Sequence, residues 1–465
     1  DVLWDKSDNQ LEFGDNAKLS FGAAADMQLY HDGSHSRIVD SGTGNLKLQG
    51  SKVQLLNADN SKEFLHGIDG GGVTLRHNNN VKLVTDGSGV TVTGTVAATS
   101  FSGSGEGLTR TTPLSHRNRI INGDMQVSQR VGGTETTITN GTLHYILDRF
   151  THYESTSGSA TVTQVTSGYS ASHTGSGKAM RIKTTGADTS LGGSAQLMFF
   201  QYIEGYNWED LRFGTANAKS FTVSFSILAS GSSAGNVTGT YCVNATNAPN
   251  FNRTYVKEYT IDAMDTWKRV SLTFPGDTSG SWGTGNGAAI RIGWSFAGPN
   301  SQEGAADTWH SSYKGSTSNQ KNGMANVNNF YFITDIQVEE GTVATPFERR
   351  NYADELARCQ RYCQVYVNPR LRGVRGSSSN DFHRMGMTLL NTLRADPSVT
   401  WSGTQSVYGG SGTASISGIN SLYVDPYSFE IDAAASGNLS GVPTGSAICA
   451  YTGGNEATLT LSAEL

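Results

Sequence analysis

The sequence predicts an all-β protein in four parts: an elongated β shaft, a β-sandwich, a short linker helix and a small β tip domain. Apolar and polar residues alternate in strand-like fashion over most of its 465 residues. Fifty-six glycines and only 16% charged residues, against about 25% in an average domain, indicate many turns and a weakly charged surface. Helical spacing appears in one stretch, Pro346 to Tyr366. A chain of this length exceeds what one hydrophobic core supports, so several domains are expected.

Residues 1–113 are read as the shaft and its linker. The runs "GNLKLQG", "GVTLRHNNN" and "GVTVTGTV" each predict a short strand between turn formers. "MQLYHDGS" (Met27 to Ser34) and "VKLVTDGS" (Val81 to Ser88) share apolar-x-Leu-x-x-Asp-Gly-Ser, which implies a repeated hairpin unit. Strands this short, with one apolar residue in two, carry too little surface to close a core. They are expected to stack on neighbours or on partner chains. "TSFSGSGEGLTRTTP" then reads as a flexible linker stopped by Pro113.

Residues 114–350 form the main core. Longer and more apolar runs, among them "AQLMFFQYI", "SFTVSFSIL", "AAIRIGWSF" and "NFYFITDIQVEE", predict an antiparallel sandwich. Trp267 and Trp294 fall within such runs and are expected in the core. Residues 351–366 are read as the helix. Tyr352, Leu356, Cys359, Cys363 and Tyr366 follow one another at steps of four, three, four and three, a single helical stripe. This is a coiled-coil seam barely two heptads long, too short to stand alone. In an assembly Leu356, Cys359, Cys363 and Tyr366 would meet their counterparts in partner chains, with Arg358 and Arg361 left wet on the flanks. Residues 367–465, with "PSVTWSG", "SLYVDPYSFEI" and "ATLTLSAEL", complete the chain as the tip domain.

A net charge of -6 supplies no basic field, so nucleic acid is not an expected partner. No run approaches the roughly 20 apolar residues that span a bilayer, which predicts a soluble chain without membrane insertion. Four cysteines are too few for a disulfide framework and fit folding in a reducing cytoplasm. Cys359 and Cys363 lack the further ligands of a closed zinc site, and a bridge between successive turns of one helix is strained. They are expected as free, packed thiols. No metal or other cofactor is predicted.

"GSSAG", Gly231 to Gly235, matches the nucleophile-elbow pattern at Ser233, but strand-like runs on both sides predict a plain hairpin loop. Glycosidase chemistry needs two carboxylates about 5–10 Å apart across a groove, which no spacing here specifies, so the expectation is a protein without enzymatic activity. Sugar recognition needs aromatic faces on rigid loops. "PGDTSGSWGTGNG" offers Trp282, and "AADTWHSSYKGSTSNQKNG" offers Trp309, His310 and Tyr313. In the tip, Tyr408, Tyr423 and Tyr427 stand among small residues. A second reading stands beside each: the tryptophans cap the sandwich or touch a neighbouring chain, and the tyrosines fill a small core that seals the end.

The order of parts resembles a known family. "FGDNAKLSFGAAADMQLYHDGS" and "GVTVTGTVAATSFSGSG", then "NRIINGDMQVSQR", "LDRF" and "IQVEEGTVATPFERRNYADELARCQRYCQVY", are similar to tail fibre proteins of marine tailed bacteriophages, cyanophages in particular. The resemblance covers about the first 366 residues. It implies a homotrimeric virion appendage, assembled in the host cytoplasm and joined to phage tail or adaptor proteins, that adheres to a host cell-surface polysaccharide. A purely structural fibre and a polysaccharide depolymerase are the alternatives. "NGDM", "TWKRVSLTF" and "FYFITDIQVEEG" also resemble jelly-roll carbohydrate-binding modules. There an acidic residue after the early Asn-Gly and an Asp in the last strand often hold a structural calcium. The corresponding positions here are Gln126 and Asp335, and loss of one carboxylate weakens a hard-cation site.

Overall fold

The computed structural model describes residues 2–97, 116–166, 177–298, 300–376, 381–409, 412–438, 442–451 and 456–465. The chain divides into two compact units, 1–108 and 109–465. The expected linker, 99–113, lies outside the described residues.

In the first unit, antiparallel strands form a hairpin (Val2–Asp5, Gln10–Phe13), a three-stranded sheet (Leu19–Phe21, Met27–His31, Ser36–Asp40) and a five-stranded sheet. The last runs in the order Gly89–Val92, Asn80–Asp86, Val73–His77, Glu63–Ile68, Lys52–Leu56. Both Asp-Gly-Ser echoes are hairpin turns held by the aspartate side chain. Asp32 Oδ1 accepts the N–H of Ser34 (3.0 Å) and His35 (2.8 Å), and Asp86 Oδ1 that of Ser88 (2.7 Å). "GNLKLQG" departs from expectation and lies in no sheet among the described residues. Alternation makes a strand only where a neighbour completes the ladder.

The five-stranded sheet aligns Leu55, Leu65, Leu75, Leu83 and Val92 as directly opposed partners. Strand periodicity puts Val53, Val73 and Val90 on the same face and Gln54, His66 and Thr74 on the other. The apolar face is open: Leu55 is 54% and Val90 63% exposed. Among the described residues of this unit only the polar His66 and Thr74 are buried, so it contains no hydrophobic core.

The second unit opens with the sandwich. All the long apolar runs are strands, and the chain passes back and forth between two antiparallel sheets in jelly-roll manner. Six strands form one sheet, in the order Thr136–Ile138, Ser159–Val165, Ala179–Gly186, Phe330–Glu340, Phe221–Ser230, Lys268–Phe274. Seven form the other: His144–Tyr145, Thr151–Glu154, Leu197–Glu204, Ala288–Ala297, Gly239–Asn247, Thr254–Ile261, Trp309–His310. Between them lies an aromatic core in which Phe199 stacks on Trp294 at 4.8 Å and Phe221 on Phe274 at 4.9 Å. Trp294 is fully buried as expected, whereas Trp267 is half-buried just before its strand. Trp208, which no periodicity flagged, is fully buried. The "GSSAG" loop makes one helical turn, Ala234–Val237, with Ser233 exposed in extended backbone.

His152 is fully buried in this core, its ring near Phe199, and burial pulls its pKa down to about 3. The unfolded imidazole titrates near 6.5, so the unfolded chain takes up the proton first on acidification. Stability from the neutral ring is complete above about pH 6.5 and is lost as pH falls toward 3, about 2 kcal/mol of it between pH 7 and 5. Denaturant unfolding at these two pH values is expected to show that loss in the native protein and not in His152→Gln. An equal loss in both would place the titrating group elsewhere.

The expected 351–366 helix is corrected by the structure. It runs only from Tyr352 to Gln360, capped by Asn351, whose Oδ1 accepts the N–H of Ala353 at 2.9 Å. Cys363–Val367 is a strand paired with Ala457–Ser462. The stripe is therefore not one helical face. Cys359 and Cys363 are fully buried in their own chain, and Leu356 packs with Ile121, Val127, Cys359 and Tyr362. Tyr366 is half-buried against the tip core, its hydroxyl bonded to Gln364. Cys359 and Cys363 are thus taken up within the chain rather than left for partner chains, while Leu356 and Tyr366 pack within it and keep part of their surface exposed. Arg361 is not a free flank residue either, since it grips the buried Glu204 through two bonds at 2.5 and 3.0 Å.

The tip combines a three-stranded sheet, Cys363–Val367, Ala457–Ser462 and Ser398–Gly403, with a closed barrel. Arg372–Arg375, Asp381–Thr388, Ser428–Asn438, Gly412–Val424, Gln405–Gly409 and Ala447–Tyr451 complete the barrel in that order. It encloses a core of its own around Leu371, Met385, Val407, Ile416, Phe429 and Ile431.

Candidate ligand-binding sites

The loop tryptophans come together, but at the edge of the sandwich core. Trp309 lies on a two-residue strand that pairs with Tyr255, and Trp282 meets it edge to face at 5.7 Å. Phe213 packs on both, at 4.7 and 6.1 Å. Each indole N–H is used, Trp282 donating to the Ser279 carbonyl (3.0 Å) and Trp309 to that of Pro275 (3.3 Å). The Trp282 loop is pinned beneath by a two-bond pair between Arg253 and the buried Asp277, at 2.6 and 2.7 Å. Its backbone also passes so near Gly205 that a Cβ there would lie 2.3 Å from the Thr284 carbonyl carbon. Both tryptophans are half-buried, a geometry that closes the end of the core.

Strand alternation sends His310 to the other face from Trp309. The His310 Nε2 lies 2.9 Å from the Ala305 carbonyl oxygen. Tyr313 lies on the outer face of the seven-stranded sheet, its hydroxyl 3.4 Å from Gln196 Oε1 and its ring 4.7 Å from the Arg291 guanidinium. Phe200 and Phe251 approach that guanidinium to 4.9 Å each. The rest of this face is covered by the chain itself, through Asn244 to the Gly315 carbonyl, Cys242 to Thr317 and Gln320 to Ser295.

In the tip, Tyr423 stands just before the hairpin turn "DPYS" that joins two long strands, and Tyr427 within it. Asp425 Oδ1 accepts the N–H groups of Tyr427 (2.7 Å) and Ser428 (2.8 Å), and Oδ2 the Ser428 hydroxyl (3.1 Å). These bonds hold the Asp425 carboxyl below its usual pKa. A second loop braces the turn, since the N–H of Leu393 donates to the Pro426 carbonyl at 2.8 Å and that of Leu389 to the Tyr427 carbonyl at 3.4 Å. Tyr423 is 63% and Tyr427 66% exposed, and the neighbouring Leu390 71%. The alternative in which these tyrosines fill a sealing core is not what the structure has. Tyr408 is also exposed, but it pairs with Thr413 at the other end of the Gly412–Val424 strand, about 30 Å of chain away from Tyr423.

Gln126 and Asp335 approach one another through Asp124 and Arg349. Gln126 Nε2 donates to Asp124 Oδ2 at 2.5 Å, while the Arg349 guanidinium reaches Asp124 at 3.9 Å and Asp335 at 3.3 Å. Burial pushes the Asp124 carboxyl pKa up. A guanidinium thus balances this carboxylate pair, and among the described residues no group of three or more His, Cys, Asp or Glu is placed to hold a metal.

No family model matches the sequence, and no curated protein matches it. Solved structures give faint likenesses. The chain is similar to the enzymatically active domain of tailspike protein 4 of bacteriophage CBA120, at 11% identity and a TM-score of 0.25, over 48% of this chain and 21% of that one. A family 11 carbohydrate-binding module from a Clostridium thermocellum cellulase matches at 13% identity and a TM-score of 0.23, over 46% of this chain and 99% of the module. A tandem of CBM22 domains from Paenibacillus barcinonensis Xyn10C matches at 9% identity and a TM-score of 0.22, over 72% of this chain and all of the tandem. Likenesses this faint carry no argument about what the chain binds.

Proposed function

We propose that this chain is a subunit of a homotrimeric phage tail fibre, a virion appendage without enzymatic activity, whose tip adheres to a polysaccharide on the host cell surface. The observation that carries the reading is the tyrosine pair at the tip. Two aromatic rings, each about two-thirds exposed, stand on a turn fixed by the Asp425 carboxylate, next to the exposed Leu390. Rigid aromatics of this kind stack on sugar faces at low entropic cost. The open apolar face of the first unit fits a fibre whose chains cover one another.

Glycan-array binding and adsorption to host cells test it. Tyr423→Ala with Tyr427→Ala is expected to weaken binding at least about tenfold, near 1.4 kcal/mol, while the melting temperature stays unchanged because both rings are exposed. By contrast Trp309→Ala is expected to lower stability by about 2 kcal/mol through its half-buried contacts with Phe213 and Tyr255. Full adsorption by the double tyrosine variant would remove the tip from the receptor contact.

A further inference from the structure

A cavity of about 640 Å³ opens beside the short helix, its lining including Arg349, Arg350, Arg358 and Arg361 together with Glu348 and Asp354. Three of the arginines are fixed by acceptors of their own. Arg350 bonds to Glu355 (3.2 Å) and to the Ile120 carbonyl (3.0 Å), Arg361 is locked on Glu204, and Arg349 reaches Asp335. Glu348 is engaged as well, its carboxylate accepting the N–H groups of Asn118 (2.7 Å) and His116. Arg358 differs. It is half-buried in the wall and makes no hydrogen bond or ion pair among the described residues, and Asp354, one turn earlier, stays exposed.

We propose that this cavity binds an oxyanion, the carboxylate, sulfate or phosphate group of an acidic sugar, with Arg358 as the residue that closes on it. Position near the end of the helix places a cation where the dipole favours one, and carboxylates lie near, but the half-buried guanidinium has no hydrogen-bond acceptor among the described residues. Burial first, and then the charge of Arg350, pull the Arg358 pKa down, against the smaller opposing pull of the Glu355, Glu348 and Asp354 carboxylates. An oxyanion would relieve both, by accepting hydrogen bonds from Arg358 and by offsetting the neighbouring charge of Arg350. The cavity falls within the roughly 300–1,000 Å³ of small-ligand sites, and Asn351, Asn391 and Thr392 add neutral hydrogen-bonding groups to its lining. That the anion is carried on a sugar rests on the polysaccharide-binding reading; the anion site itself rests on the arginines.

Calorimetric titration of the full chain at low salt tests this with sodium glucuronate, inorganic sulfate, inorganic phosphate and neutral glucose. At least one of the anions is expected to bind, more weakly as salt rises, and at least tenfold more weakly to Arg358→Gln than to the native chain or to Arg372→Gln, an exposed control. Preference for glucuronate assigns the site to uronic acids, and preference for sulfate or phosphate to sugar esters. Without ligand, Arg358→Gln is expected to melt close to the native protein, since the repulsion from Arg350 that it removes is offset by the lost attraction to Glu355, Glu348 and Asp354. A clear drop in melting would make Arg358 structural and overturn the proposal, as would equal anion binding by Arg358→Gln, equal binding of glucose, or no binding of any anion. The double tyrosine variant should keep the anion site intact, so failure of the tip reading and failure of this one are separable.

Discussion

Glu464→Ala is expected to destabilise the second unit by about 3–5 kcal/mol, the cost of leaving a buried charge without its partner. Its carboxylate is 4% exposed and meets Arg149, which is 2% exposed, and Arg130 at 3.2 Å. The Arg149 guanidinium also lies 3.5 Å above the Tyr362 ring and donates to the Tyr202 carbonyl at 2.7 Å. Loss of Glu464 would strand that cation among aromatic rings and sheet backbone, where water cannot replace the carboxylate. Because Glu464 follows the last tip strand and Arg149 leads into the sandwich, the pair also joins the two parts. Replacing Arg149 and Glu464 together with methionine is expected to restore much of the loss, whereas Asp262→Ala, which breaks an exposed pair with Lys268, should cost about 0.5 kcal/mol or less. Denaturant unfolding measures all three. An effect for Glu464→Ala no larger than that of Asp262→Ala would show that the buried pair contributes nothing net.

A full-length chain carrying Leu65→Asp with Leu75→Asp is expected to lose the self-association that the fibre reading requires. The two leucines sit opposite each other in the middle of the apolar row. Each aliphatic side chain covered by a partner contributes about 1.5–3 kcal/mol, and a carboxylate put in its place must be desolvated at several kcal/mol. With no buried hydrophobic residue among the described residues of this unit, the expected stability comes from that covered face. Sedimentation should show the native chain as a trimer and the variant as smaller species, while Thr91→Asp on the opposite face leaves assembly unchanged. A native chain that sediments as a monomer at micromolar concentration would end the homotrimer proposal.

By itself the sequence determined what depends on neighbours along the chain. Period-two alternation marked every long sandwich strand, because which face a strand residue takes is settled two residues at a time. The Asp-Gly-Ser echoes were legible for the same reason, since an aspartate side chain bonds backbone only two or three residues on, whereas the like turn at Asp425-Pro426 was not singled out. Tyr423 and Tyr427 could be named in advance because tyrosines stand there among small residues. Tertiary structure decided whatever depends on a partner far along the chain. Cys363–Val367 keeps helical spacing yet lies in a sheet, because Ala457–Ser462 completes a ladder that outweighs the weak preference of one extra helical turn. That pairing turned an expected seam between chains into the interior of one. Tertiary structure likewise separated Tyr408 from the tip pair, added Leu390, set Trp282 and Trp309 against the core, and gathered four arginines around one cavity. Burial and ion pairing are properties of surroundings, and those surroundings are assembled from residues up to several hundred positions apart.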